Sequence, residues 1–187
     1  MKPTTGRLRW TTADLELLPD NSDRYEIIDG ELFVTRAPHW NHQQVCGRMF
    51  AVLDAWSQQT GLGRVAIAPG IIFSDADNVI PDVVWASNDR LAALLDDAGH
   101  LTAAPELVVE VLSFGGENER RDKEVKLKLY SSRGVQEYWI VDWQKQQIEI
   151  YRREKAALAL TTTLFTKDEL TSPILANLQF PVKQIFA

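Results

Sequence analysis

Asp82 in the run VIPDVVWAS and Glu110 in the run APELVVEVLSFG are carboxylates set into apolar, β-rich stretches. In the second run Leu107, Val108, Val109, Val111 and Leu112 cover both faces of a strand, the pattern of a strand buried on both sides. Glu110 therefore shares a face with Val108 and Leu112. An ionised carboxylate taken out of water costs several kcal/mol unless a cation or hydrogen bonds compensate it, so a partner must stand opposite. In the first run Pro81 favours a strand start, because proline has no N–H to give to a ladder, and Asp82 falls at the mouth of that strand. Two carboxylates on neighbouring strands repel one another. A divalent cation relieves that repulsion, and Mg²⁺ in particular is held by one or two protein carboxylates plus waters and substrate phosphate. The chemistry this pattern points to is metal-assisted hydrolysis of a phosphate ester.

On the helix expected next, Asp122, Lys126 and Tyr130 are spaced by four and lie along one stripe. Lys126 can then point back over the sheet toward the carboxylates. There an ammonium would orient a water, help to deprotonate it, and balance charge on a phosphoryl oxygen. Each of these residues also has a plainer reading. Glu110 can be half of a structural ion pair with Lys126 or Arg121, Asp82 can begin a turn, and Lys126 can be a solvated helix lysine. Glu26 lies beside a hairpin, where it either supports the site or makes an ordinary edge-strand pair. His42 stands seven residues before Met49 on one helical face and should look inward, as a satisfied core histidine or as a catalytic one. Tyr130 is expected to pack under the sheet or to hydrogen-bond a carboxylate. Trp56 and Trp139 read as core, and Trp40 or Trp143, if exposed, could stack on a base.

The elements that must position these groups follow one another closely. TTADLELLPD offers Thr11 or Thr12 as an N-cap and Pro19 as a stop, so a short helix is expected. RYEIIDGELFV is two β-rich runs joined by Asp29-Gly30, a two-residue hairpin signal that pairs Ile28 with Glu31, Ile27 with Leu32 and Glu26 with Phe33. Val45, Met49, Val52, Leu53 and Trp56 recur at helical spacing and predict a helix over about 41–60, ended by Gly61. Strands are expected near 63–68, 70–74, 82–86 and 106–112, helices near 88–96 and 118–132, and a hairpin in QEYWIVDWQKQQIEIYRR. Strands joined by long helical crossovers indicate a mixed sheet flanked by helices.

Composition narrows the classes. The 187 residues are 45% hydrophobic and 25% charged, enough for one ordinary core, so a single domain over 1–187 is expected. No apolar run reaches the roughly 20 residues of a membrane helix, and MKPTTGRLRW lacks the apolar stretch of a signal peptide; the expected location is cytoplasmic, with no membrane partner. Cys46 is the only cysteine, which excludes an internal disulfide and a cysteine-rich zinc site. The net charge of -6 does not mark the whole surface as a nucleic-acid binder. Six basic against four acidic residues over 117–134 leave only a mild local patch. No glycine-rich phosphate loop follows any expected strand, which weighs against a nucleotide-binding α/β protein.

RYEIIDGEL, the His42-Gln43 pair, PDVVWAS, PELVVEVLS, the Asp122-Lys126-Tyr130 stripe and GVQEYWIVD, in that order along nearly the whole chain, resemble the bacterial Uma2 family (also called DUF820) of the PD-(D/E)XK nuclease superfamily. The resemblance implies an α/β (α+β) fold with a restriction-endonuclease-like core, a mixed four-stranded sheet flanked by helices, here with an N-terminal β-hairpin. It implies an endonuclease that uses Mg²⁺ (or Mn²⁺) to hydrolyse phosphodiester bonds of nucleic acid, DNA being the expected partner. The implied metal ligands are Asp82, Glu110 and the main-chain carbonyl of Val111. In many nucleases of this superfamily an N-terminal acidic residue completes the metal site, the position Glu26 would take. Leu112 stands where the superfamily pattern places its lysine, and the family resemblance assigns that role to Lys126. A homodimer follows from the proposed chemistry, since cutting both strands of a duplex takes two sites. The alternative expectation is a catalytically silent nuclease-fold protein that binds a partner or serves as a regulatory subunit.

Overall fold

A computed structural model describes residues 8–113 and 115–187. Strands β1 (Arg24–Ile28) and β2 (Glu31–Thr35) form the expected hairpin in the expected register, Ile28 opposite Glu31 and Glu26 opposite Phe33. Asp29 and Gly30 take positive φ of 50° and 71°, which a tight two-residue turn requires and which Asp and Gly tolerate. Helix α1 (Trp40–Thr60) is capped by the His39 side chain, which accepts the Asn41 N–H, and ends on left-handed Gly61. There follow β3 (Gly63–Ile67), β4 (Ile71–Ser74), β5 (Asp77–Val79), β6 (Val83–Ser87), α2 (Asn88–Leu94) and β7 (Leu107–Val111). A continuous helical segment comes next: α3 (Gly116–Arg120), a π-helical turn over Arg121–Lys126, and α4 (Leu127–Arg133). The chain finishes with β8 (Glu137–Asp142), β9 (Gln147–Glu154), β10 (Ala157–Phe165), the small pair β11 (Glu169–Thr171) and β12 (Gln179–Pro181), and α5 (Lys183–Phe186).

The central sheet has the order β10-β9-β8-β7-β6-β3. Its one parallel pair is β7 with β8, because the helical segment between them carries the chain back to the starting edge. Strands β3, β6, β7 and β8 make the four-stranded core that the resemblance implies, and the β9–β10 hairpin extends it. One face carries α1: Val45, Met49, Leu53 and Trp56 pack on Val83, Val109 and Trp139, with Phe180 and Ile185 closing the layer. On the opposite face Val84, Val108, Leu112 and Ile140 meet Tyr130 and Leu129 of α4 and Ile28, Ile71 and Val79 of a second sheet, ordered β2-β1-β5-β4. The N-terminal hairpin thus belongs to a separate sheet laid over the central one. Strand β5, which completes that sheet, was not expected, since three residues reading Asp-Asn-Val carry no period. The N-terminal segment folds as a 3-10 helix over Thr12–Leu17. Among the described residues no helix is long and apolar enough to cross a membrane.

Gly63 shows how closely β3 approaches β6. A Cβ there would press into the Ala86 carbonyl oxygen and the Trp85 ring, and backbone cannot yield as a side-chain tip does. Gly63→Ala is expected to destabilise the fold by about 1–3 kcal/mol, read as a lower urea midpoint. An unchanged midpoint would mean that β3 packs on β6 with room to spare.

Candidate active site

Strands β6 and β7 run antiparallel with Val83 opposite Val109, and one step further along the register come Asp82 and Glu110. The Val111 N–H donates to Asp82 Oδ2 at 2.9 Å, so the aspartate also closes the end of the ladder after Pro81. Both carboxylates line a cavity of about 90 Å³ between the second sheet, the mouth of β6 and β7, and the π turn. That space holds a few waters at roughly 30 Å³ each. Glu26, His42, Val111, Asp122 and Lys126 line it as well. A π turn, often a mark of functional sites, hydrogen-bonds from residue i to i+5, and here Arg121, Asp122 and Lys126 are all turned to the buried side.

Lys126 is the hub. Its Nζ lies 2.9 Å from Glu110 Oε1, 2.9 Å from Glu26 Oε1 and 3.9 Å from Asp122 Oδ1. The Tyr130 hydroxyl donates to the same Glu110 oxygen at 2.9 Å, and the Ile80 N–H donates to Glu26 Oε1 at 2.8 Å. Asp82 has its own partners: Arg24 Nη1 at 3.0 Å and His42 Nε2 at 3.2 Å. Arg121 donates to Thr35 Oγ1 at 2.7 Å and stands 3.5 Å from Asp122 and 3.9 Å from Glu26.

Four buried carboxylates, Glu26, Asp82, Glu110 and Asp122, thus face three permanent cations, Arg24, Arg121 and Lys126. Burial and the mutual repulsion of these groups show in their acidities. Burial, with repulsion from Asp82, Asp122 and Glu26 added to it, outweighs Lys126 and pushes Glu110 up to about 8. Burial likewise raises Asp122 to about 6, against the pull of Lys126 and Arg121. Asp82 goes the other way: burial opposes its charge, but His42, Arg24 and the Val111 N–H together hold it well below the usual carboxylate range. Burial works against the Lys126 charge too, yet Glu110, Glu26 and Asp122 overcome it and raise its pKa. Four carboxylates gathered in one cavity are hard oxygen donors, a donor set that fits Mg²⁺ or Mn²⁺.

A second grouping shares Asp82. Ligand atoms of His42, Cys46 and Asp82 lie within 4.8 Å of one another. The Cys46 Sγ is 3.5 Å from His42 Nδ1, however, while Asp82 sits on Nε2. Thiol and carboxylate thus contact different nitrogens of the same ring. Burial and the nearby Asp82 charge also push the thiol far above its ordinary value. As they stand, the three form a chain in which the imidazole links the buried thiol to Asp82.

The residues singled out in the sequence, Glu26, His42, Asp82, Glu110, Val111 and Lys126, all line this one cavity. His42 looks inward as expected, buried with its ring on Asp82. Glu26 does not pair at a sheet edge, since β1 lies inside its sheet between β2 and β5. Glu110 takes Lys126 and Tyr130, and Arg121 serves Glu26 and Asp122 instead. Sequence reasoning missed Arg24, although its position two before Glu26 in a strand puts both on one face. It also missed Arg36, an exposed residue on the cavity rim.

Comparison with known proteins bears on this arrangement. The model of the Uma2 family, described as "Putative restriction endonuclease", matches residues 12–183. No curated protein matches the chain. Among solved structures the chain is similar to "a putative nuclease belonging to DUF820" from Anabaena variabilis ATCC 29413, with a TM-score of 0.73 and 18% identity over 94% of this chain and 97% of the other. That likeness establishes the shared fold, a mixed sheet flanked by helices.

The Glu110 shift has a measurable consequence. An ordinary glutamate loses its proton near 4.5, whereas folded Glu110 keeps its proton to about 8. Across that window the native state binds more protons than the unfolded chain, so this group makes stability fall as pH rises. Glu110→Gln retains an acceptor for Lys126 and Tyr130 but cannot ionise. Its stability relative to the parent protein is expected to increase from about pH 4.5 to about pH 8 and then level off. Urea midpoints across that range check this; a flat or falling difference would mean that Lys126 compensates the charge in full.

Proposed function

Because the chain belongs to the Uma2 family, we propose that it is a metal-dependent endonuclease, a single nuclease-like domain that hydrolyses phosphodiester bonds of nucleic acid, with DNA the substrate we favour. The observation that carries this reading is the shared cavity: Asp82 and Glu110 presented by adjoining strands, with Lys126 held 2.9 Å from Glu110 and Glu26 beside them. Asp82, Glu110 and the Val111 carbonyl are the groups we assign to hold Mg²⁺ or Mn²⁺. When bound, such a cation polarises a phosphoryl oxygen and makes a water more acidic.

The chain's own groups have separate tasks. The raised pKa of Lys126 makes it a poor base at neutral pH, where a general base works best with a pKa near the operating pH. Its role is instead to donate: it fixes the two glutamates and offers positive charge to a phosphoryl oxygen as negative charge builds there. Glu26, anchored by the Ile80 N–H, keeps the ammonium in place. His42 and Arg24 hold Asp82 ionised and oriented for a cation, and Arg36 on the rim suits a phosphate of the incoming strand. Cleavage of both strands of a duplex would need two sites, which a homodimer supplies, whereas cleavage of a single strand needs one.

One observation favours the second reading, a silent nuclease fold that binds a partner. Each carboxylate already has a basic neighbour, Arg24 and His42 for Asp82 and Lys126 for Glu110. Cleavage assays with Mg²⁺ or Mn²⁺ separate the two. On the nuclease reading Asp82→Ala and Glu110→Ala abolish metal-dependent cleavage, and Lys126→Ala lowers turnover by about 10²–10³. Cleavage that survives in both carboxylate variants removes this site assignment. No heat of binding at millimolar metal, together with no cleavage, favours the partner-binding reading over the nuclease one.

A further inference from the structure

Beside the catalytic cavity lies a second, wider recess of about 490 Å³, within the range of small-molecule sites. The two share a wall: Pro38 and His42 line the first, while Trp40 and Asn41, between them in the chain, line the second. Trp40 is 75% exposed at the start of α1, an unusual placement for the side chain with most to gain from burial. The opposite side is Trp143, whose indole N–H donates to the Leu112 carbonyl at 3.0 Å, tying it to the residue after Val111. His39, outside the recess, stacks on Trp143 with ring centres 5.1 Å apart and planes 15° apart, which holds that indole in place.

The remaining wall is mostly polar, with Val45, Phe186 and Ala187 as its apolar part. Asn41, Gln44, Gln144 and Gln146 offer amide donors and acceptors, and Arg48 adds a cation. Among the described residues lining the recess no side chain is acidic, in a protein whose net charge is -6. A hydrocarbon partner would leave those amides unpaired, and a basic peptide would meet Arg48. A nucleobase matches each feature: a π-face for the aromatics, polar edges for the amides, and an adjacent phosphate for the arginine.

We propose that this recess binds an unpaired nucleobase next to the phosphodiester held in the catalytic cavity, so that the substrate is single-stranded or locally unpaired nucleic acid. The inference rests on the nuclease reading and narrows its substrate class. A base inside a duplex presents no free face to Trp40, whereas one in a single strand, loop or frayed end does.

The test uses the full chain in EDTA at fixed salt, with fluorescence anisotropy of three labelled probes: a single-stranded oligothymidylate, a duplex, and a strand of abasic sugar-phosphates. Stacking is worth about 1–3 kcal/mol per base, or roughly 5- to 150-fold in affinity. Trp40→Ala is expected to weaken oligothymidylate binding by that factor, Trp40→Phe to recover most of it, and the abasic strand to bind the parent and Trp40→Ala within about twofold of each other. Equal losses on the abasic and base-bearing strands, no loss on oligothymidylate, or tighter binding of the duplex than of the single strand would overturn the proposal. If single strands fail to bind while a duplex is cut in an Asp82-dependent way, the nuclease reading stands and the base site falls. If no nucleic acid is bound or cut, both fall.

Discussion

The buried ammonium of Lys126 is the charge on which the rest of the site depends. It is 1% exposed, and a lone ammonium in that position would shed its proton. Glu26 and Glu110, each 2.9 Å away, keep it charged. The dependence is mutual, because without the cation two glutamates from different sheets would face each other out of water. This single group ties β1 of the upper sheet, β7 of the central sheet and the helical segment into one unit. Its raised pKa follows from the same contacts and decides what it can do: hold and stabilise negative charge, and not accept a proton.

The cluster is still over-supplied with carboxylates. Glu110 and Asp122 carry the surplus as raised pKa values, while Asp82, with Arg24, His42 and a backbone N–H, stays firmly ionised. Two acids set in one cavity therefore differ in acidity: Asp82 is held firmly ionised, while burial and its acidic neighbours raise Glu110 against the pull of Lys126. Burying so many carboxylates together costs stability, which the hydrophobic layers on both faces of the sheet absorb. Cys46 contacts the other nitrogen of the imidazole that holds Asp82. The recess beside Pro38 and His42 adds a neighbouring surface of different chemistry, built of aromatic rings, amides and Arg48 in place of clustered carboxylates.

Much of this was legible in the residues because local physics decides it. Glu110 stands out since a charge breaks an apolar strand, Asp82 since Pro81 marks a strand mouth, and the hairpin register since Asp29-Gly30 admits one tight turn. The spacing of Asp122, Lys126 and Tyr130 showed that a lysine and a tyrosine could share a helical face, and both reach Glu110. These signals span a few residues, within which backbone geometry alone sets direction.

What the sequence by itself determined, then, was the inventory and its order: mixed sheet and helices, two strand-borne carboxylates, a helical lysine, and membership in a family of nuclease type. Only the tertiary structure decided who meets whom. Arg24 reaches Asp82 across 58 positions, the hairpin leaves the central sheet to lie over it, β5 forms because β1 and β4 flank it, and a π turn brings Arg121, Asp122 and Lys126 to one side. No local pattern encodes these, because buried charge is balanced over the whole volume it occupies. The cheapest set of ion pairs depends on every element that encloses the cavity, and these are distant in sequence.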